Sequence, residues 1–350
     1  MTAAASLVLV LNVGSSSLKA ALIGPDRPWQ GQHNLAGGPI EAALEQWLAP
    51  QLQPWWPRIQ LAGHRVVHGG ARFTAPTRIQ PALLQELEGL VPLAPLHNGP
   101  ALAAIRWLLA TRPELPQWAC FDTAFHASLP PEAYTYALPR AWREQGLRRF
   151  GFHGLNHQHV AETAADRWRA AGRCGLPRLI SCHLGAGCSL AAIREGRSID
   201  TTMGFTPLEG LVMASRSGTV DPGLLLELLR QGLSPDQLHQ SLSHESGLRG
   251  LSGLSGDWQE LRRATAAGHG DAQLALAVFL HRLRAGIGAM AASLGGVDQI
   301  ALSGGIGAHD PQLLEELRLT LQWLGPCELL QVPADEEGMV ARQCLRASAS

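Results

Sequence analysis

Apolar residues fill every position from Leu7 to Leu11 and return over 18–23 with Lys19 as the one polar interruption. Two such runs around a short polar segment predict adjacent strands, 7–11 and 18–23, joined by a turn. LAGHRVVHGG (61–70) reads as a buried strand that delivers polar residues at its end, and WACFDTAFH (118–126) as another. LISCHLGAGCSLAAIREGRSID (179–200) reads as two strands joined at Gly185-Ala186-Gly187, with a second turn at Glu195-Gly196. QIALSGGIG (299–307) reads as a strand running into a glycine turn. Helical spacing is clearest over 272–294, where Leu276, Phe279, Leu280, Leu283, Ile287 and Met290 recur on one face. Further helices are expected near 40–48 and over 81–91, 99–111, 157–172 and 310–324. Strands and helices alternate through both halves, so the class is α/β. No internal repeat stands out, and residues 24–58 are rich in Pro, Gly, Gln and Trp.

Length and composition narrow the picture. A chain of 350 residues is long for one core, so two domains are expected. Apolar content of 46% with 16% charged residues fits a compact soluble protein, and a net charge of −1 gives no footprint for nucleic acid or a membrane surface. The start, MTAAASLVLVL, lacks the basic region of a signal peptide, and no apolar run approaches the roughly 18 residues that span a bilayer. Six scattered cysteines without a CxxC pair argue against a disulfide or metal framework and fit a reducing cytoplasm.

The candidate chemistry sits at the strand ends. Asn12, Gly14, the serines 15–17 and Lys19 crowd the first turn with small donors, and Lys19 is the only lysine among 28 basic residues. Such a turn lets backbone N–H groups approach an anion, and a compact ammonium suits phosphate. Its spacing is neither a Walker loop nor a dinucleotide fingerprint. Gly185 to Ser189, with Asp200, Thr201 and Thr202 downstream, reads as a second phosphate-contacting hairpin or a common tight turn, and the glycine turn Ser303 to Gly307 after a strand can admit a flat base or a ribose close to backbone. Two Gly-rich turns in different halves suggest a ligand held between two domains. Arg65 and Arg216 stand among small or apolar neighbours. Each is either paired to a structural carboxylate or waiting for an anion, and two such arginines suit a transferring phosphoryl group. Asp122 is a metal-organising or ion-pairing candidate. His97, His153 and His183 follow apolar residues, while His68, His126, His157 and His159 default to satisfied structural roles.

Together the segments LNVGSSSLK, GHRVVHGG, APLHNGPAL, FDTAFH, RRFGFHG, CHLGAGCSLAAI, SIDTTMGFTPLEGLVMASRSG and GGIG resemble the acetate kinase family, in the family's order and over residues 7 to 343. The resemblance implies a two-domain actin-like ATPase fold with nucleotide in the interdomain cleft. The first domain would cover 1–130 plus about 337–350, the second 131–336. It implies reversible formation of acetyl phosphate and ADP from acetate and ATP with Mg²⁺ or Mn²⁺, by direct in-line transfer. It also implies a cytoplasmic homodimer. On this likeness Asn12, Ser15, Ser16, Ser17 and Lys19 form the first phosphate loop. Gly185 and Gly187 belong to the second, with His183 nearby, and Gly304, Gly305 and Gly307 lie by the adenosine. Arg65 and Arg216 would hold acetate and the phosphoryl group in flight, and His153 would donate to that group, with His97 close by. Asp122 would order the acceptor carboxylate or the metal. Glu336, within DEE at 335–337, would hold Mg²⁺ with Asn12. Val67, Leu96, Phe152 and Pro207 would enclose the acetate methyl.

The sequence departs from the family in three places. HLGAG carries Ala186 where the family has Asn, GIGAHD carries Ala308 and His309 where it has Glu and Asn, and the chain is shortened between 24 and 61. Ala186 and the GIGAHD turn motivate one rival reading, a nucleotide-binding relative without turnover; the weak discrimination of one methylene by an apolar pocket motivates another, a kinase preferring propionate or butyrate.

Overall fold

A hairpin opens the chain. β1 (Leu7–Val13) pairs antiparallel with β2 (Ser17–Ile23), which pairs antiparallel with β3 (Trp29–Asn34). β4 (Ile59–Val66) and β6 (Gln117–Phe121) then add in parallel beside β1, and β5 (Thr77–Arg78) closes the edge in the order β3-β2-β1-β4-β6-β5. The structure, a computed structural model, describes residues 6–14, 17–35 and 38–349, without the side chains of Pro95 and Leu96. By its internal packing the chain divides into two units. The first comprises Met1–Ala127, His153–Leu155 and Asp335–Ser350; the second comprises Ser128–Phe152 and Asn156–Ala334.

β1 is apolar at consecutive positions because both its faces are covered. Leu7, Leu9 and Leu11 pack with Leu44, Leu48, Leu52 and Leu108 from helical segments on one side. Val8 and Val10 meet Met339, Val340 and Cys344 of the helix Glu336–Ser348 on the other. That helix lies close to β4: a Cβ on Gly63 would come within 2.5 Å of Val340 Cγ1 and 2.7 Å of Cys344 Sγ, so only glycine fits there.

The second unit repeats this plan. β7 (Leu179–Leu184), β8 (Cys188–Arg194) and β9 (Arg197–Thr201) form an antiparallel meander. β10 (Gln299–Ser303) and β11 (Glu328–Gln331) add in parallel beyond β7, in the order β11-β10-β7-β8-β9. The repeat is one of strand order, β3-β2-β1-β4-β6 against β9-β8-β7-β10-β11. The helix Gly270–Leu294 packs on β8 with Leu276, Phe279, Leu283, Ile287 and Met290 buried. By length and mean hydropathy it meets the threshold for a membrane span. Its buried stripe and its mid-helix Arg282 and Arg284 are those of a core helix.

Several elements differ from their expected bounds. The strand expected over 61–70 ends at Val66 because Asn98 captures the next backbone groups: His68 N–H donates to Asn98 Oδ1 (3.1 Å), and Asn98 Nδ2 donates to the His68 carbonyl (3.0 Å). The strand expected over 118–126 ends at Phe121, and Ala124–Ser128 coils into a 3₁₀ turn. The glycines after β10 form the first turn of a short helix, Gly304–His309, instead of a loop. Gly304 has φ 79°, and a Cβ there would sit 2.5 Å from the Leu184 carbonyl oxygen. β3 was missed because WQGQHN is polar, as a half-buried edge strand is.

His64, inside β4, is buried, and its Nε2 donates one hydrogen bond to Gln117 Oε1 at 2.9 Å. Burial lowers its pKa to about 4, against the smaller raising effect of Gln117. The unfolded chain therefore binds a proton between pH 6.5 and 4 that the folded chain does not. Stability is present above pH 6.5 and lost as pH falls toward 4, by roughly 3 kcal/mol from this residue. Urea unfolding at pH 7.5 and 4.5 should show a larger acid loss for the wild type than for His64→Gln.

Candidate active site

Strand parity places the polar residues of the first unit. Side chains two apart share a face, so Val8 and Val10 lead to Asn12, Leu61 and Gly63 lead to Arg65, and Cys120 leads to Asp122. All three polar residues thus lie at the carboxyl ends of adjacent parallel strands, on the face covered by the Glu336–Ser348 helix. That helix begins with Glu336 and Glu337, capped by Asp335, whose Oδ1 accepts from Gly338 N–H at 3.1 Å.

The contacts are dense. Arg65 Nε donates to Asp122 Oδ1 at 3.0 Å and its NH2 donates to Asp122 Oδ2 at 2.6 Å, a bidentate pair. Its NH1 donates to Asn12 Oδ1 at 3.0 Å and lies 3.5 Å from Glu336 Oε2. Asn12 Nδ2 donates to Glu337 Oε1 at 2.8 Å and to Glu336 Oε2 at 3.2 Å. Asp122 is 1% exposed, Glu336 14% and Arg65 15%. Three carboxylates thus face one guanidinium. Burial pushes the Asp122 carboxyl up, Arg65 pulls it down, and the Glu336 charge adds to the rise. Burial would lower Arg65, but the charges of Asp122 and Glu336 outweigh it and the guanidinium is held above its ordinary value.

His153 belongs to the same cluster. Its backbone makes a hydrogen bond to the Asp122 carboxylate, and the following Gly154 N–H donates to the Asp122 carbonyl at 2.9 Å. His153 has φ 57°, a left-handed conformation uncommon for a residue with a Cβ, held at a site of concentrated charge. Lys19 is directly opposite Asn12 on β2 and exposed, and it lines a cavity of about 340 Å³ with Gln30, Gln32 and Glu337. Ser17 begins β2, and its carbonyl accepts from Gly14 N–H at 2.9 Å. Val67 is buried just after β4, and His97 is half-buried in the helix Pro95–Thr111. Ser15, Ser16 and the side chain of Leu96 lie outside the described residues.

The second unit gathers a different set. β7 and β10 are parallel neighbours with His183 opposite Ser303, so the turns that follow them meet. A Cβ on Gly185 would lie 3.7 Å from Gly305 N and 4.0 Å from His183 Nε2, and Gly185 N–H donates to the Gly187 carbonyl at 3.0 Å. Beside these turns is a cavity of about 620 Å³ whose lining includes Gly185, Ala186, Gly305, Trp258, Arg263 and His309. Arg262, also on its wall, is committed to Glu316 (2.9 and 3.0 Å) and Asp310 (3.2 Å). Arg216 NH1 donates to the Pro207 carbonyl at 2.9 Å, which joins two of the expected residues. Phe152 is buried.

Sequence reasoning missed Glu337, Asn98 and the cavity wall at Asp257, Trp258 and Arg263. Residues 222–266 carry no glycine-rich strand turn, and the amphipathic pattern of WQELRRATA signals a helix without marking which residue faces a ligand. Glu337 is adjacent to the expected Glu336, and only the helix geometry shows that both carboxylates reach Asn12.

Comparison with known proteins gives this geometry a family. A sequence model of the acetokinase family matches residues 30–342. An acetate kinase of Synechococcus sp. (strain JA-2-3B'a(2-13)) is 46% identical over 355 residues, covering 91% of this chain and 88% of that protein. A propionate kinase from Francisella tularensis superposes with a TM-score of 0.89 at 31% identity, over 97% of this chain and 98% of that one. Porphyromonas gingivalis acetate kinase superposes with a TM-score of 0.83, also at 31% identity, over 97% and 99%. The chain has the two-domain actin-like ATPase fold of these kinases, and it belongs to the acetokinase family.

Proposed function

We propose that the chain is an acetate kinase, transferring the γ-phosphoryl group of ATP reversibly to acetate and giving acetyl phosphate and ADP. The observation that carries the site assignment is the cluster of Arg65, Asp122, Asn12, Glu336 and Glu337. A carboxylate is already a nucleophile. One acetate oxygen bonds to the γ-phosphorus as the bond from phosphorus to the β,γ-bridging oxygen breaks, and ADP keeps the electron pair. No strong base is required; the obstacle is an anion approaching a polyanion. Arg65 and Arg216 are assigned to the acceptor carboxylate and the transferring group, and the N–H groups of an arginine fit three equatorial oxygens. His153 donates to the same group, and Asp122 fixes the plane of the Arg65 guanidinium.

The donor chemistry of the first unit fits a divalent cation. The carboxylates of Glu336 and Glu337 stand together at the Asn12 amide, whose Oδ1 accepts from Arg65, and the three carboxylates exceed the single guanidinium in charge. Among the described residues no group of three or more His, Cys, Asp or Glu forms a ready-made cage. Magnesium commonly takes one or two carboxylates and completes its shell with phosphate oxygens and water. Glu336 and Asn12, with Glu337 beside them, are the residues proposed to hold Mg²⁺ or Mn²⁺, which when bound would draw charge from the phosphates. Ser15, Ser16, Ser17 and Lys19 are assigned to phosphate. His183, Gly185, Gly187 and the glycines 304, 305 and 307 are assigned to the nucleotide. Val67, Leu96, His97, Phe152 and Pro207 are assigned to the acceptor. The proposal keeps a cytoplasmic homodimer.

Hydroxylamine trapping with Mg-ATP and acetate, propionate or butyrate tests the activity. Acetyl hydroxamate is expected as the main product. One methylene in an apolar pocket is worth about 1–3 kcal/mol, so propionate should follow by roughly 10- to 200-fold in kcat/KM. ATP binding with no hydroxamate from any acid would refute the kinase reading. Arg216→Ala should lower kcat for acetate by about 10²- to 10³-fold; unchanged turnover would remove Arg216 from the clamp.

A further inference from the structure

The helix Gly154–Ala170 places two consecutive polar residues, Asn156 and His157, in its first turn, and both are 0% exposed. Asn156 Nδ2 donates to Ser303 Oγ at 3.1 Å, and Ser303 Oγ lies 3.3 Å from Asn156 Oδ1. His157 Nδ1 is 2.8 Å from Ser181 Oγ, and its Nε2 is 2.8 Å from Ser189 Oγ. A neutral imidazole has one donor and one acceptor nitrogen, and each serine hydroxyl can rotate to match. The His157 ring also meets the His183 ring at 6.4 Å between centroids, edge to face. Ser181, Ser189 and Ser303 are likewise 0% exposed.

What these residues hold decides their role. Ser303 is opposite His183 on β10, and His183 is opposite Ser189 on β8. Directly opposed residues share a face of the sheet. Ser303, His183 and Ser189 therefore form one row across β10, β7 and β8. It lies next to both glycine turns: Gly304 follows Ser303, and Gly185 follows His183 by two residues. The helix grips this row at both ends. Buried polar side chains are costly unless fully paired, and an apolar seam would seat a helix without that requirement. Their pairing fixes one position of the helix on the sheet.

We propose that Asn156 and His157 are positioning residues that set the two glycine turns and the His183 ring relative to one another, and so determine nucleotide affinity. The proposal rests on the reading that these turns hold the nucleotide. A misplacement of about 1 Å at such a site can cost 10²-fold in rate.

Five variants test this: Asn156→Ala, Ser303→Ala, the Asn156→Ala/Ser303→Ala pair, Ser189→Ala and His157→Gln. ADP affinity is measured by calorimetry, and KM for ATP, KM for acetate and kcat by steady-state kinetics. For Ser303→Ala and His157→Gln the ADP Kd and ATP KM are expected to rise about tenfold, with acetate KM within twofold. The double variant should be no worse than the poorer single. Folded variants, with cooperative melting, whose ADP Kd stays within twofold would overturn the proposal; so would equal losses for ATP and acetate, the mark of general loosening. If the larger replacements do not fold, the two serine variants carry the test. If the wild type binds ADP but makes no acyl phosphate, the kinase reading fails while the Kd series still decides this one.

Discussion

The bidentate pair of Arg65 and Asp122 is the interaction on which the first unit's site depends. It joins the ends of β4 and β6, and the remaining Arg65 nitrogen reaches Asn12 at the end of β1. Removing Arg65 would leave the buried Asp122 carboxylate uncompensated, at a cost of about 3–5 kcal/mol, whereas removing Asp122 leaves Arg65 beside Glu336. Paired, the guanidinium has a fixed plane and still faces Glu336. The pair is therefore a structural joint that leaves the guanidinium beside a carboxylate at the strand ends.

Sheet parity explains why chemistry collects there. Positions 8 and 10 of β1, 61 and 63 of β4, and 120 of β6 serve the core beneath the Glu336–Ser348 helix. The next residues on the same face lie at the first turn of that helix, where carboxylates are favoured by the helix dipole. Apolar packing thus positions the polar residues, with no separate scaffold. The second unit uses the same order of strands, and its glycine turns also follow the carboxyl ends of parallel strands; β7 has a parallel and an antiparallel neighbour, as β1 does.

Much of this was legible in the sequence. The α/β class followed from alternating apolar runs, and LNVGSSSLK, GHRVVHGG, FDTAFH and CHLGAG marked the strand ends that carry Asn12, Arg65, Asp122 and His183. What the sequence did not disclose was pairing across distance. Nothing local in DEE shows that Glu337 as well as Glu336 meets Asn12, more than 300 residues away. His157 read as an ordinary buried histidine because its partners, Ser181 and Ser189, are common residues in strands. The end of β4 was misjudged for the same reason: Asn98, in a separate helix, takes the backbone groups of His68.

The most direct test of the central claim is a double-mutant cycle on Arg65 and Asp122, read as the rate of acyl phosphate formation from acetate and Mg-ATP. If the two act as one unit, Arg65→Ala and Asp122→Ala should each lower kcat by about 10³-fold, and the double variant should be no worse than the poorer single. Losses that multiply would contradict the account, because they would mean that Arg65 and Asp122 contribute independently.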